Sequence, residues 1–252
     1  MTILISLYLF ALGLACGSFF NVVGLRVPAG QSILRPPSAC PHCGHRLRAR
    51  ELIPVLSYAL SRGRCRSCAA GVSPLYPAGE LAAALLFVWA YLRFGLTVQA
   101  WIGLLLASLT VIITVSDIRY MRIPNAVLLA FLPMLLALRL LNPDGRSYIE
   151  YFAGAAIGGG VLLAISLLSR GGVGMGDVKL LALFGLVLGW KGVLLALMLG
   201  SLAGTIGGLL LVLIRKGKAK EPIPFGPYLS LGALIAYGYG DAIIDGYLNL
   251  FK

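Results

Sequence analysis

The sequence predicts an all-α polytopic membrane protein: about eight transmembrane helices, with a cytoplasmic zinc-binding loop domain between the first two. Three observations lead there. First, 59% of the 252 residues are hydrophobic and 12% are charged, with a mean hydropathy of +0.92; a soluble core of this size could not hide so much apolar surface. Second, the apolar residues come in runs of about the length that crosses a bilayer as helix. Third, the basic residues flank those runs, as topology signals and anionic-lipid contacts do. The net charge of +12 therefore points to membrane and not to nucleic acid.

In order, the spans are read at residues 3–25, 77–96, 98–116, 126–141, 151–168, 178–188, 192–214 and 225–248. The second and third, and the sixth and seventh, are joined so briefly that each pair should be a tight hairpin. No Lys or Arg precedes the first run and Arg26 follows it. It thus lacks the basic start of a signal peptide and reads as a retained helix with its N-terminus outside. Odd-numbered connections should then be cytoplasmic, and their basic content agrees. The first holds Arg26, Arg35, Arg46, Arg48, Arg50, Arg62, Arg64 and Arg66, the third Arg119 and Arg122, the fifth Arg170 and Lys179, and the seventh Arg215, Lys216, Lys218 and Lys220. The other side receives Arg93, Arg139, Arg146, Lys191 and Lys252. Both termini are expected outside. Glycines within the spans (Gly154, Gly158, Gly159, Gly160, Gly200, Gly204, Gly207, Gly208) are read as close-packing positions without chemistry.

The first loop carries two C-x-x-C pairs, Cys40/Cys43 and Cys65/Cys68. Tetrahedral zinc takes four such ligands, two from each knuckle, with Gly44 and Gly63 placed for tight turns. Two disulfides or free thiols are the alternatives, and a reducing cytoplasm disfavours disulfides. His42 and His45 are further possible ligands, but with four cysteines present they read better as exposed knuckle residues. A closed four-cysteine site leaves no position for substrate, so the metal is structural. Cys16, alone in an apolar span, reads as a packing residue.

Among the nine acids, Asp144, Glu150, Asp241 and Asp245 fall on the outer side, Glu51 in the cysteine loop and Glu221 in a basic cluster. Asp117, Asp177 and Glu80 remain at the inner edge. Ionisable groups at membrane depth are costly and ask for a functional reason. Asp117 could simply pair with Arg119 or Arg122, and Asp177 could simply cap its helix. Yet both lie on one side of the bilayer, and Asp177 follows the glycine-rich run 171–176. Two close carboxylates cannot both ionise cheaply; such a pair shares one proton, and can draw a proton from water while polarising a peptide carbonyl, without metal or covalent intermediate. A proton-coupled transporter is the competing class, and the position at the edge instead of the midplane counts against it. Glu80 is expected to pair with substrate or with a loop arginine.

These motifs resemble the type IV prepilin peptidases. The resemblance rests on Gly174–Asp177 as Gly-x-Gly-Asp, Asp117 ahead of Ile123-Pro124-Asn125, and the paired C-x-x-C loop. It extends to Gly17-Ser18-Phe19-Phe20-Asn21-Val22 with Arg26-Val27-Pro28, Tyr76-Pro77 with Glu80, and Ile223-Pro224-Phe225-Gly226-Pro227. It covers essentially the whole chain, in order. It implies an aspartic endopeptidase of the bacterial inner membrane that removes the leader of type IV prepilins or secretion pseudopilins after a glycine at the cytoplasmic face, then N-methylates the new N-terminus with S-adenosylmethionine. Asp117 and Asp177 take the catalytic positions and Cys40, Cys43, Cys65 and Cys68 the metal positions. Gly174, Gly176 and Glu80 are expected toward substrate and Gly63 toward the methyl donor. The organisation is then a first helix at 1–25, the zinc loop at 26–76 and a membrane aspartic peptidase domain at 77–252. No strand–glycine turn–helix unit for a nucleotide-type cofactor is legible, so methylation follows from the resemblance alone.

Overall fold

A computed structural model describes residues 1–169, 172–214 and 223–250. The readings made for Arg170, Gly171, the basic residues at 215–220, Glu221 and Lys252 lie outside them. The described chain is helical: α1 (Thr2–Arg26), a single 3-10 turn (Ala49–Glu51), α2 (Leu56–Leu60), α3 (Leu75–Phe94), α4 (Val98–Tyr120), α5 (Asn125–Leu141), α6 (Tyr148–Leu168), α7 (Met175–Ile214) and α8 (Gly226–Asn249). Five of these, α1, α3, α4, α6 and α7, are long and apolar enough to cross a membrane.

Both expected hairpins are present. Three residues join α3 to α4, and Gly95 turns there at φ +66°. Two expected spans form α7, broken at Gly189, where φ +74° and ψ 176° are open only to glycine. The carbonyls freed by that break are taken by arginines: Arg139 Nε donates to Val187 O (2.8 Å) and Arg146 to Leu188 O (2.9 Å). The C-terminal end of α5 and the α5–α6 connection are thereby tied to the C-terminal end of the first arm of α7.

Beside α7, with 72% of its most apolar stretch buried, the centre of the bundle is α4, with 67% against 11% for α1. Its residues Ile102, Leu106, Leu109 and Ile113 form one core with Leu180, Leu181 and Phe184 of α7 and Leu229 of α8. Helices in lipid gain little from burying apolar surface against one another and pack through small residues instead. α6 and α7 meet so closely at Gly154 and Gly185 that a Cβ on either would fall onto the other's backbone carbonyl. On the other flank, Gly13 and Gly17 of α1 lie against the backbone of Ala84 and Glu80 of α3. Asn21 of α1 is buried there and donates to Tyr76 O (2.9 Å).

One boundary differs from the sequence reading in a way that matters. α4 runs through Tyr120 instead of ending at Ser116, so Asp117 lies inside a helix and not at the opening of a loop.

Candidate active site and cysteine centre

Asp117 is held by the way α4 ends. Met121 takes the left-handed conformation (φ 52°) and its N–H donates to Asp117 O at 2.9 Å, while the buried Ser116 hydroxyl donates to Arg122 O. This folds 121–124 back over the helix end, and α5 starts at Asn125. The Asp117 side chain is buried, and its Oδ2 accepts the backbone N–H of Gly226 at 2.9 Å. Gly226 opens α8, so the carboxylate sits at a helix N-terminus, where free N–H groups and the dipole favour negative charge. Neither Arg119 nor Arg122 forms an ion pair with Asp117 among the described residues.

Asp177 stands in the first turn of α7, its N–H donating to Gly174 O at 3.0 Å. Ser166 of α6 fixes the approach by donating to Val173 O at 2.8 Å. Lys179 reaches across to Asn125 Oδ1 at 3.0 Å, joining the starts of α7 and α5. Asp177 Oδ1 is buried without a hydrogen-bond partner among the described residues. Such an acceptor costs about 1–3 kcal/mol and is ready for a donor that arrives later. The glycines beside it leave room that a side chain would take: a Cβ at Gly176 would lie 2.8 Å from Ile123 Cβ, closer than two carbons approach, and one at Gly174 would press on Asp177 Oδ2 at 3.0 Å.

Asp117, Asp177, Gly174 and Gly176 line one open cavity of about 520 Å³, together with Val27 and Pro28 at the end of α1 and residues 121–126. Glu80 lies outside that lining. Its buried carboxylate accepts the N–H of Val55 at 2.7 Å, and no arginine pairs with it among the described residues, so the expected loop-arginine partner is replaced by a backbone group. The sequence reading also gave Gly226 no site role. The signal was the Phe225-Gly226-Pro227 start of a helix, but nothing local says which acid that helix end faces.

The four cysteine sulfurs lie within 4.8 Å of one another, with Cys40 and Cys68 3.8 Å apart. Four thiolates about 2.3 Å from one ion stand about 3.8 Å apart, the separation of Cys40 and Cys68, so the cluster could hold one metal ion. Backbone N–H groups of Cys43 and then His42 draw the Cys40 thiol down to about 7, whereas Cys68, although it accepts the Ala70 N–H, is pushed up to about 12 by the neighbouring thiols, so the first thiolate forms readily and the last needs a cation beside it. His45 faces Glu51 (3.5 Å) and not the sulfurs. The two knuckles are built alike. Cys40 N–H donates to His45 O and Gly44 N–H to Cys40 O; Cys65 N–H donates to Ala70 O and Ala69 N–H to Cys65 O. Gly44 has φ +70°, and its counterpart Ala69 is forced to φ +57°. Ala69→Gly should therefore stabilise the second knuckle by about 0.5–1 kcal/mol, net of glycine's greater unfolded entropy. Slower amide exchange over 65–71 is the readout, and unchanged or faster exchange would refute the strain. Gly63 (φ +66°) packs under Tyr58, whose hydroxyl would lie 2.9 Å from an added Cβ, and it lines neither of the cavities at the two ends of the bundle.

Two carboxylates on two helices line one cavity at the end of an apolar bundle, an arrangement that can support acid–base chemistry of the aspartic class. Residues 11–94 match the bacterial Peptidase A24 N-terminal domain and residues 104–209 match the type IV leader peptidase family. The chain belongs to that family. It is 41% identical over 242 residues to the prepilin leader peptidase/N-methyltransferase of Bacillus subtilis, covering 96% of this chain and 97% of that one. It is 36% identical over 270 residues to that of Aeromonas hydrophila and 35% over 268 to that of Pseudomonas aeruginosa, covering at least 94% of this chain and 91% of each of those. No solved structure matches the chain significantly.

Proposed function

We propose that this protein is a bifunctional prepilin leader peptidase and N-methyltransferase. It cleaves type IV prepilins or pseudopilins after a glycine and methylates the exposed N-terminus. The observation that carries the cleavage is the shared cavity of Asp117 and Asp177. Asp117, which already accepts the Gly226 N–H, is the charged member; Asp177, with an oxygen awaiting a partner, carries the shared proton. Asp117 takes a proton from water as the water attacks the scissile carbonyl, and Asp177 gives its proton to the carbonyl oxygen. The tetrahedral intermediate collapses as Asp117 returns a proton to the leaving nitrogen and Asp177 recovers one from the hydroxyl. Gly174 and Gly176 keep this edge of the cavity low for an incoming chain. A transporter reading has no support among the relatives, which carry peptidase names.

Depth supports the substrate class. The first arm of α7, residues 175–188, rises only about 21 Å and α5 about 26 Å, against a hydrocarbon core of about 30 Å. Their outer ends are tied by Arg139 and Arg146, so their inner ends, where the cavity lies, are sunk below the membrane surface. A substrate that is itself an apolar helix with a short leader would bring its cut site to that level. With the basic loops inside, both termini are outside and the cavity opens to the cytoplasm of a bacterial inner membrane. The eight-span topology and the division at 25 and 76 belong to this same proposal.

In the loop, zinc held by Cys40, Cys43, Cys65 and Cys68 would staple the two knuckles and supply no chemistry to the cut. We expect about one zinc per chain, lost in Cys40→Ser; freshly purified protein without zinc would refute this. Methyl transfer from S-adenosylmethionine is supported by the relatives' names. Gly63 as a lining position is supported by its place two residues before Cys65 in the chain, although its left-handed φ and the Tyr58 ring already demand glycine there. Co-expression with a prepilin and intact mass of the product tests both activities: loss of the leader plus one methyl is expected, and an uncut substrate would overturn the reading.

A further inference from the structure

We propose that the turn formed by Leu52, Ile53, Leu56 and Leu60 is a lipid-docking surface, seated on the anionic headgroup layer of the membrane the protein spans. The four side chains are 43%, 44%, 52% and 67% exposed. Single exposed leucines are ordinary; four within nine residues of a polar loop are not. Leu56 and Leu60 lie at i and i+4 of α2 and share a face.

The level of the turn is set by Glu80. That residue sits in the second turn of α3, among helices that span the membrane, and its carboxylate accepts the Val55 N–H at 2.7 Å. Val55 lies between Ile53 and Leu56 at φ 59° and ψ −49°, the centre of a γ-turn in which the Leu56 N–H donates to Pro54 O, a conformation that a β-branched residue adopts only under constraint. The apolar turn is thus pinned beside a membrane helix, about 7 Å inward from the start of α3. At that level the neighbouring phase is the boundary between headgroups and acyl chains.

Charge selects the lipid. Arg48 and Arg50 precede the turn and Arg62 and Arg64 follow it, all exposed. Across residues 26–74 there are eight arginines and one acid, Glu51, which is already engaged by the Arg48 N–H and His45. Apolar side chains flanked by arginines suit an interface of anionic phospholipid, the arginine stems lying along it with their heads at the phosphates.

The test is amide hydrogen exchange of the full-length protein in nanodiscs, one set of phosphatidylcholine and one containing phosphatidylglycerol. Exchange over residues 52–62 should slow at least about fivefold with phosphatidylglycerol, and the Leu56→Ser/Leu60→Ser variant should lose that protection while keeping its zinc content. Equal exchange of the wild type in the two lipids overturns the proposal, whatever the variant does. So does protection that appears only on adding a prepilin peptide, which would make the turn a substrate surface, or only at high protein density in the disc, which would make it a contact between copies.

Discussion

Asp117→Asn and Asp177→Asn each lower prepilin cleavage by about 10³-fold or more, while the protein still inserts and keeps its zinc. Both protons of the proposed cycle pass through these two groups, and an amide can neither take nor give one at neutral pH. The double substitution should be no worse than either single one, because the pair acts as a unit. Asn is nearly isosteric, so the Gly226 N–H keeps an oxygen to donate to and the end of α4 is undisturbed. Intact-mass measurement of co-expressed prepilin reads the result. Near-normal cleavage by either variant would end the two-carboxylate mechanism. Methylation of a supplied, already mature pilin should survive Asp177→Asn, since methyl transfer has no use for the shared proton.

The second large effect is expected at a residue without any ionisable group. In Gly226→Ala the new Cβ would lie 2.9 Å from Asp117 Oδ2, 3.2 Å from Ile113 and 3.3 Å from Ile123. The softest of these neighbours is the carboxylate, the free end of a side chain, so Asp117 swings aside and the helices stay packed. A misplacement of about 1 Å at a reacting group is worth about 10²-fold in rate. Cleavage should fall by about that factor, with the unfolding midpoint in detergent almost unchanged. Combined with Asp117→Asn, the alanine should cause little further loss, because the group it displaces is already inert. Full activity in Gly226→Ala, or a loss that multiplies with that of Asp117→Asn, would show that the α8 N-terminus does not position the carboxylate.

Residue order alone determined a good deal of this. Apolar runs identify membrane helices because a lipid-crossing segment must be apolar along its whole length and satisfy its backbone internally, both of which are local properties. The C-x-x-C pairs are legible for a similar reason: each knuckle supplies two ligands within a single turn. Asp117 and Asp177 stood out because they flank such spans on one side of the bilayer and a glycine-rich run leads into Asp177. The resemblance to prepilin peptidases followed from motifs whose order is written in the chain. What the tertiary structure decided is everything that depends on which helix ends meet. The Gly226 N–H reaches Asp117 across more than a hundred residues, and no local pattern announces it. Glu80 was read toward substrate or arginine, whereas its acceptor oxygen takes the backbone of Val55, a partner of no particular residue type. Four more residues joined α4, because the left-handed turn at Met121 and the Ser116 hydroxyl satisfy groups that local propensity leaves open. A side chain's identity is local, but its hydrogen-bond partner is chosen by packing, and in this bundle packing places two acids from distant helices around one cavity.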